Sequence, residues 1–146
     1  MAELRWVDPE GPEYEAWVAL REPILRAPLG LSFSPADLEA EKGQRHLVAF
    51  EDGRVVGGLI VIPLSGGSWK VRQVAVDPDR QGKGLGGRLM EKVIETAHEK
   101  GIAEIFLHSR TEVVGFYERL GFEVSGEDFI EVGIPHRKMV LSLGSG

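Results

Sequence analysis

The chain has 146 residues, a formal net charge of −6, 42% apolar and 27% charged residues, and no cysteine. A chain of this length buries about two-thirds of its unfolded surface, so one domain over residues 1–146 forms a core without staples. The missing cysteines exclude disulfides, thiolate metal sites and cysteine nucleophiles, and the acidity argues against nucleic-acid or anionic-membrane partners. Residues 1–6 lack a basic and then apolar leader pattern, and no apolar run approaches a membrane span, so a cytoplasmic protein is expected.

Leu4 to Val7 reads as a first strand, followed by the breaker cluster Asp8-Pro9-Glu10-Gly11-Pro12. Tyr14, Trp17, Val18, Arg21 and Leu25 then fall near one helical face, and Pro23 should kink or end that helix near Glu22. Ser34-Pro35-Ala36-Asp37 predicts a short helix, with serine as N-cap, proline at the first position and a carboxylate in the first turn. His46 to Glu51 and Val55 to Ile62 are strands around a hairpin at Asp52-Gly53. A strand from Trp69 to Val76 completes an antiparallel meander. A helix from about Gly84 to Lys100 presents Leu85, Leu89, Val93, Ile94 and Ala97 to the core, and Gly101 stops it. Ala103 to His108 is the next strand, parallel to 69–76 through a β-α-β crossover. Glu112 to Leu120 is a helix, Phe122 to Val124 opens another strand, and Lys138 to Leu143 is the last. The expected fold is a single mixed β-sheet of six to seven strands flanked by about four helices, of α/β (α+β) class.

The chemistry concentrates between the strand ending Val74-Ala75-Val76 and the helix beginning at Leu85. Gln81-Gly82-Lys83-Gly84-Leu85-Gly86-Gly87 frees a turn of Cβ atoms, so that N–H groups converge on an oxyanion. The helix adds its unpaired N–H groups and positive dipole end, and phosphate is the usual guest of such a turn. Gly82, Gly84 and Gly87 also satisfy G-x-G-x-x-G, but Asp77 to Gln81 separate strand from glycine, and His108 and Ser109 stand where a dinucleotide fold ends its next strand in an acid. Gly82-Lys83-Gly84 is not a nucleoside-triphosphate loop, which needs Gly-Lys-Ser/Thr.

Gln81 to Gly86 resembles the Q/R-x-x-G-x-G/A motif of the GNAT superfamily of acyl-CoA-dependent N-acyltransferases. Phe116-Tyr117-Glu118-Arg119-Leu120-Gly121-Phe122 resembles that family's F-Y-E-x-L-G-F segment, in order and at the expected distance. The tail Gly133-Ile134-Pro135-His136-Arg137-Lys138-Met139 is similar to a G-I-P-H-x-x-M pattern of small bacterial members. The resemblance implies acetyl-CoA as co-substrate, with no metal. Its pyrophosphate would lie on the N–H groups of Gly82, Lys83, Gly84, Leu85, Gly86 and Gly87. Its pantetheine arm would bond the backbone of Val74, Ala75 and Val76, and strands 69–76 and 103–108 would splay to admit the thioester. Phe116 falls in the second cofactor motif. Many relatives carry Asn or Gln seven positions before the motif tyrosine. Here Arg110 stands there; it donates but does not accept, and would reach a phosphate or an acidic acceptor instead.

By the same resemblance, the Val76 N–H serves the developing oxyanion and Tyr117 protonates the departing thiolate. A phenol near 10 and a thiol near 8.5 differ little in basicity. For the general base the chain offers Gln73, His108, Glu112, Glu131 and His136; His136 is the first choice because its segment enters the last strand pair near the expected acceptor site, and His108 the second. In the family the first helical region covers the acceptor, which points to Arg21 or Arg26 for a carboxylate or phosphate on it. The expected activity is N-acetyl transfer to a small-molecule primary amine; a lysine or N-terminal protein acetyltransferase and a non-catalytic acyl-CoA-binding module are the alternatives. A homodimer is common in the family, and the C-terminal strand pair is one route to it.

Overall fold

The computed structural model describes residues 2–144. The elements are β1 (Glu3–Val7), α1 (Pro12–Arg21), α2 (Pro35–Ala40), β2 (Arg45–Glu51), β3 (Arg54–Leu64), β4 (Ser68–Val76), α3 (Leu85–Glu99), β5 (Glu104–Arg110), α4 (Val114–Arg119), β6 (Glu123–Glu131) and β7 (Ile134–Ser142). The strands form one seven-stranded mixed sheet in the order β1-β2-β3-β4-β5-β7-β6. No helix among the described residues is long and apolar enough to cross a membrane. The chain divides into two compact units, one of residues 2–62 with Gln73–Leu89, the other of Pro63–Arg72 with residues 90–144.

In the first unit, β2 pairs antiparallel with β1 and β3. Asp52 and Gly53 both take positive φ, 51° and 76°, the backbone of a type I′ hairpin turn as Asp-Gly predicts. Tyr14, Trp17, Val48, Phe50, Ile60 and Ala75 make the core. Trp17 lies so close to β3 that a Cβ at Gly58 would stand 2.8 Å from its ring and 2.7 Å from the Leu47 carbonyl oxygen. Glycine is therefore required there by space. The Ser34 side chain accepts from the Asp37 N–H and the Asp37 carboxylate from the Ser34 N–H, a full capping box for α2.

Pro23 acts as predicted, in an instructive way. With no N–H at Pro23 the i→i−4 ladder of α1 breaks, and Glu22–Arg26 widens into a π-turn in which the Ala27 N–H reaches the Glu22 carbonyl. Around it, Arg21 is fully buried. Its two terminal nitrogens donate to the two carboxylate oxygens of Glu41 at 2.9 and 2.7 Å, and the Tyr14 hydroxyl donates to the same carboxylate at 2.8 Å. The Trp17 indole N–H donates to His46 Nδ1 at 3.2 Å.

In the second unit, β5 pairs in parallel with β4 from Ser68↔Glu104 to Val71↔Leu107. β7 pairs antiparallel with β5 and with β6. Alternation sorts the side chains. Ile105, Leu107, Met139 and Leu141 point to one face, where a Cβ at Gly121, just beyond α4, would meet Leu141 at 3.4 Å. Phe106, His108, Lys138 and Val140 point to the other. The last two strands are longer than predicted. β6 runs to Glu131 and β7 begins at Ile134, around a turn at Val132-Gly133 with φ of 45° and 76°. This is the geometry of Asp52-Gly53, but valine is a poor turn former. Its presence hid the hairpin from sequence reading.

Candidate active site

In the first unit, β4 delivers its last residues to the glycine turn. Ala75 is buried, and Val74 and Val76 half-buried. The Asp77 N–H donates to the Val56 carbonyl at 2.9 Å, and the Gln81 side-chain amide donates to the Val76 carbonyl at 3.1 Å. Gln81, the first residue of the motif, thus ties the turn back to the strand. A short 3₁₀ turn over Pro78–Arg80 spans the gap, with the Asp77 carboxylate capping the Asp79 N–H at 3.0 Å.

Arg80 lies across this bridge, at 3.1 Å from Glu51 and 3.3 Å from Asp77. Sequence reading missed that network: Glu51 is twenty-nine residues away in the chain, and nothing local pairs it with Arg80. Its effect is to neutralise Arg80, so attraction for an anion falls to backbone N–H groups and to Lys83. Gly82 and Gly84 take φ of 78° and 86°, the left-handed region that glycine enters without steric cost. A Cβ built at Gly82, Gly84 or Gly87 would meet no atom within 4 Å. These glycines border open space, and side chains there would intrude on whatever the turn holds. The Arg88 N–H closes on the Gly84 carbonyl at 3.0 Å, so the N–H groups of Leu85, Gly86 and Gly87 precede the first intrahelical bond of α3. The residues present therefore fit a pyrophosphate-bearing ligand.

Two of the predicted acceptor residues also lie in this unit. Arg21 is committed to Glu41, and its guanidinium stacks between Trp17 and Phe33 at 4.7 and 4.8 Å. Arg26 lies over Phe33 at 4.9 Å and makes no salt bridge among the described residues, and both arginines have a buried Nε without a hydrogen-bond partner there. Of the two, Arg26 has terminal nitrogens not committed to a carboxylate. Gln73, in mid-β4, takes φ of 57°, and its buried Oε1 has no hydrogen-bond partner. A left-handed residue inside a strand re-aims the chain that follows it.

In the second unit, Tyr117 sits on α4 and is 8% exposed, edge-on to Phe116 at 4.9 Å and to Phe122 at 5.9 Å. Burial pushes its phenol up to about 12. That widens the expected small mismatch with a thiol near 8.5 to ~3.5 pH units, roughly 5 kcal/mol. A phenol held that high stays protonated at neutral pH and can donate a hydrogen bond.

The same unit gathers three of the candidate bases. His108 Nδ1 lies 2.9 Å from Glu131 Oε1, and His136 Nε2 lies 3.7 Å from Glu131 Oε2. Phe129 is edge-on to His108 at 5.0 Å and stacked on His136 at 6.0 Å. His136 Nδ1 is 2.7 Å from the Ile134 carbonyl, which can only accept, so Nδ1 holds the proton. Burial pushes the Glu131 carboxyl up, but the hydrogen bond from His108 and the charges of His108, His136 and Lys70 outweigh it and leave it below its usual value. An ionised carboxylate on Nδ1 of His108 leaves Nε2 of that ring as the basic nitrogen. The His108 side chain is 25% exposed and that of His136 only 7%, so His108 is the more accessible ring. Glu112 is exposed at the start of the 3₁₀ turn that leads into α4. Arg110, at the end of β5, pairs in register with His136 and makes no side-chain hydrogen bond or salt bridge among the described residues. Among the described residues there is no cluster of His, Cys, Asp and Glu able to hold a metal ion.

The first unit thus carries an open glycine turn at a helix start, and the second a buried tyrosine and a histidine–carboxylate pair. Comparison with known proteins gives the family. The family model for the acetyltransferase (GNAT) domain matches residues 33–143. The uncharacterized protein YyaT of Bacillus subtilis (strain 168) is 33% identical over 104 residues, 71% of this chain and 69% of its own. An acyl-CoA N-acyltransferase from Pseudomonas aeruginosa superposes with a TM-score of 0.84 at 20% identity, over 97% of this chain and 100% of its own. An aminoglycoside 6'-N-acetyltransferase solved with coenzyme A gives a TM-score of 0.81 at 18% identity, over 97% of each chain. The chain belongs to the GNAT acetyltransferase family and is an acyltransferase.

Proposed function

We propose that this enzyme transfers the acetyl group of acetyl-CoA to the primary amine of a small molecule, by direct attack on the thioester. The observation that carries this reading is the open glycine turn of Gly82, Gly84 and Gly87, tied to β4 by the Gln81–Val76 hydrogen bond. Backbone N–H groups of that turn hold the pyrophosphate, and the backbone of Val74 to Val76 orients the pantetheine arm. The Val76 N–H serves the oxyanion. Tyr117, with Phe116 packed edge-on against it, donates to the sulfur. His108, held by Glu131, takes the ammonium proton of the acceptor; its Nε2 is free because Nδ1 is engaged. His136 flanks Glu131 on its other side and is the second candidate for that role. Arg110 meets a phosphate or the acceptor.

The test is thiol release from acetyl-CoA with a panel of small amines, in wild type, Tyr117→Phe and His108→Gln. Turnover of at least one amine, lowered tenfold or more in both variants with acetyl-CoA affinity unchanged, is expected. Micromolar acetyl-CoA binding without turnover of any amine would leave a binding module instead. Turnover of peptide lysines or N-termini alone would make a protein the acceptor.

A further inference from the structure

The solvent-side face of β4, β5 and β7 in the second unit gathers unpaired cations in a protein that is otherwise acidic. Lys70 stands beside Phe106 in the parallel register, and His108 beside Lys138 in the antiparallel one. The ammonium groups of Lys138 and Lys70 both lie over the Phe106 ring, at 4.8 and 6.0 Å from its centroid. Arg72 follows Lys70 on the same side of β4, and Arg110 follows His108 on the same side of β5. None of Lys70, Arg72, Arg110 and Lys138 makes a salt bridge among the described residues, whereas Arg5, Arg21, Lys42, Arg80, Lys92 and Arg137 all do.

The acids on this face offset the cluster only in part, Glu131 acting on Lys70 through its charge. Glu131 is bonded to His108, and Glu104 and Glu123 stand at the beginnings of β5 and β6, opposite Ser68 and Val140. The strain of like charges shows at Lys70. Burial, then the charge of Arg72, pull its ammonium below the usual lysine value; Glu131 opposes this and Lys138 adds to it. A half-buried lysine crowded by cations and set over an aromatic ring is relieved by an anion. The His108–Glu131 pair lies on the same face.

We propose that this face is the acceptor's specificity site: Lys70 and Lys138, flanking Phe106, bind a carboxylate or phosphate carried by the amine that His108 deprotonates. The substrate class is then an anion-bearing amine, such as an amino acid or a phosphorylated amino alcohol, and not a polycationic amine. This rests on the acetyl-transfer reading for the reaction, but not for the binding.

The experiment pairs three anionic amines with their uncharged-chain partners: phenylalanine with phenethylamine, β-alanine with ethylamine, and O-phosphoethanolamine with ethanolamine. Binding is read by calorimetry on the full chain, and turnover by thiol release from acetyl-CoA. At least one anionic member should bind tenfold or more tighter than its partner. In the Lys70→Gln/Lys138→Gln double variant that preference should vanish, with kcat/KM for the anionic member down thirtyfold or more, for its partner by less than threefold, and acetyl-CoA affinity unchanged. Lys138→Arg should retain the preference. Equal binding within every pair, or equal loss for both members in the double variant, overturns the anion site. Anion preference in binding without thiol release from any amine overturns acetyl transfer and keeps the site; thiol release without anion preference does the reverse.

Discussion

Replacing Glu41 by glutamine removes one charge and almost no volume, and leaves the fully buried Arg21 guanidinium without a counterion. In the native chain that guanidinium has two short bonds to Glu41, and Tyr14 donates a third hydrogen bond to the carboxylate. A pair made so completely contributes little net stability over an apolar substitute, because desolvation offsets attraction. Breaking it from one side is different: the surviving buried charge costs about 3–5 kcal/mol. For a domain of this size that lowers Tm by on the order of 10 °C. The assay is urea unfolding followed by tryptophan fluorescence, with Arg21→Met/Glu41→Leu beside Glu41→Gln. The double variant should recover most of the loss. The pH dependence follows in sign. Burial pushes the Glu41 carboxyl up, but the Arg21 bonds and charge outweigh it, so its folded pKa lies below its unfolded one. Its contribution is complete above the unfolded value of about 4.3 and is lost as pH falls through the folded value. A loss under about 1 kcal/mol in Glu41→Gln at pH 7 would show that the buried Arg21 charge does not depend on Glu41.

Other outcomes follow from the same geometry. Tyr117→Phe should lower kcat by one to two orders of magnitude with acetyl-CoA affinity unchanged; because the buried phenol is held up to about 12, wild-type kcat should show no loss from its ionisation between pH 8 and 10, checked by a pH profile. The raised phenol also means that stability is full below pH ~10 and falls as pH rises towards the folded value, measurable by alkaline unfolding. Gly87→Ala should stabilise α3 by up to about 1 kcal/mol, since a Cβ meets nothing there, yet weaken acetyl-CoA binding tenfold or more by calorimetry, because that Cβ enters the turn. Val132→Gly should raise stability by about 1 kcal/mol, since valine is held at φ 45° on an exposed turn, and thermal unfolding reads it.

Much of this protein is legible from local chemistry. The Asp52-Gly53 turn, the Ser34 cap and the break at Pro23 each depend on the backbone preference of one or two residues, and those preferences act wherever the residues stand. The glycine turn belongs to the same class, because φ near 80° at Gly82 and Gly84 and the free N–H groups of a helix start are local properties. The Val132-Gly133 hairpin shows the limit of this reading. There, pairing of β6 with β7 overrides the preference of valine, and neither residue announces the turn.

What the residue order determined by itself is the glycine turn, its place between a strand and a helix, and the tyrosine motif downstream. What tertiary structure alone decided is which charges are spent and which are free. Arg21 and Arg26 are both acceptor candidates in sequence, but Glu41 claims the first, while no carboxylate pairs with the second among the described residues. Sequence reading placed His136 ahead of His108 as the base, but Glu131 orients His108 from 23 residues away while the Ile134 carbonyl holds His136. Lys70 and Lys138 are ordinary surface lysines in sequence until strand pairing sets Lys70 opposite Phe106 and brings the Lys138 ammonium over the same ring. Partners in space are fixed by strand pairing and burial, which act between segments distant in sequence. Local preference has no information on which carboxylate a cation will meet.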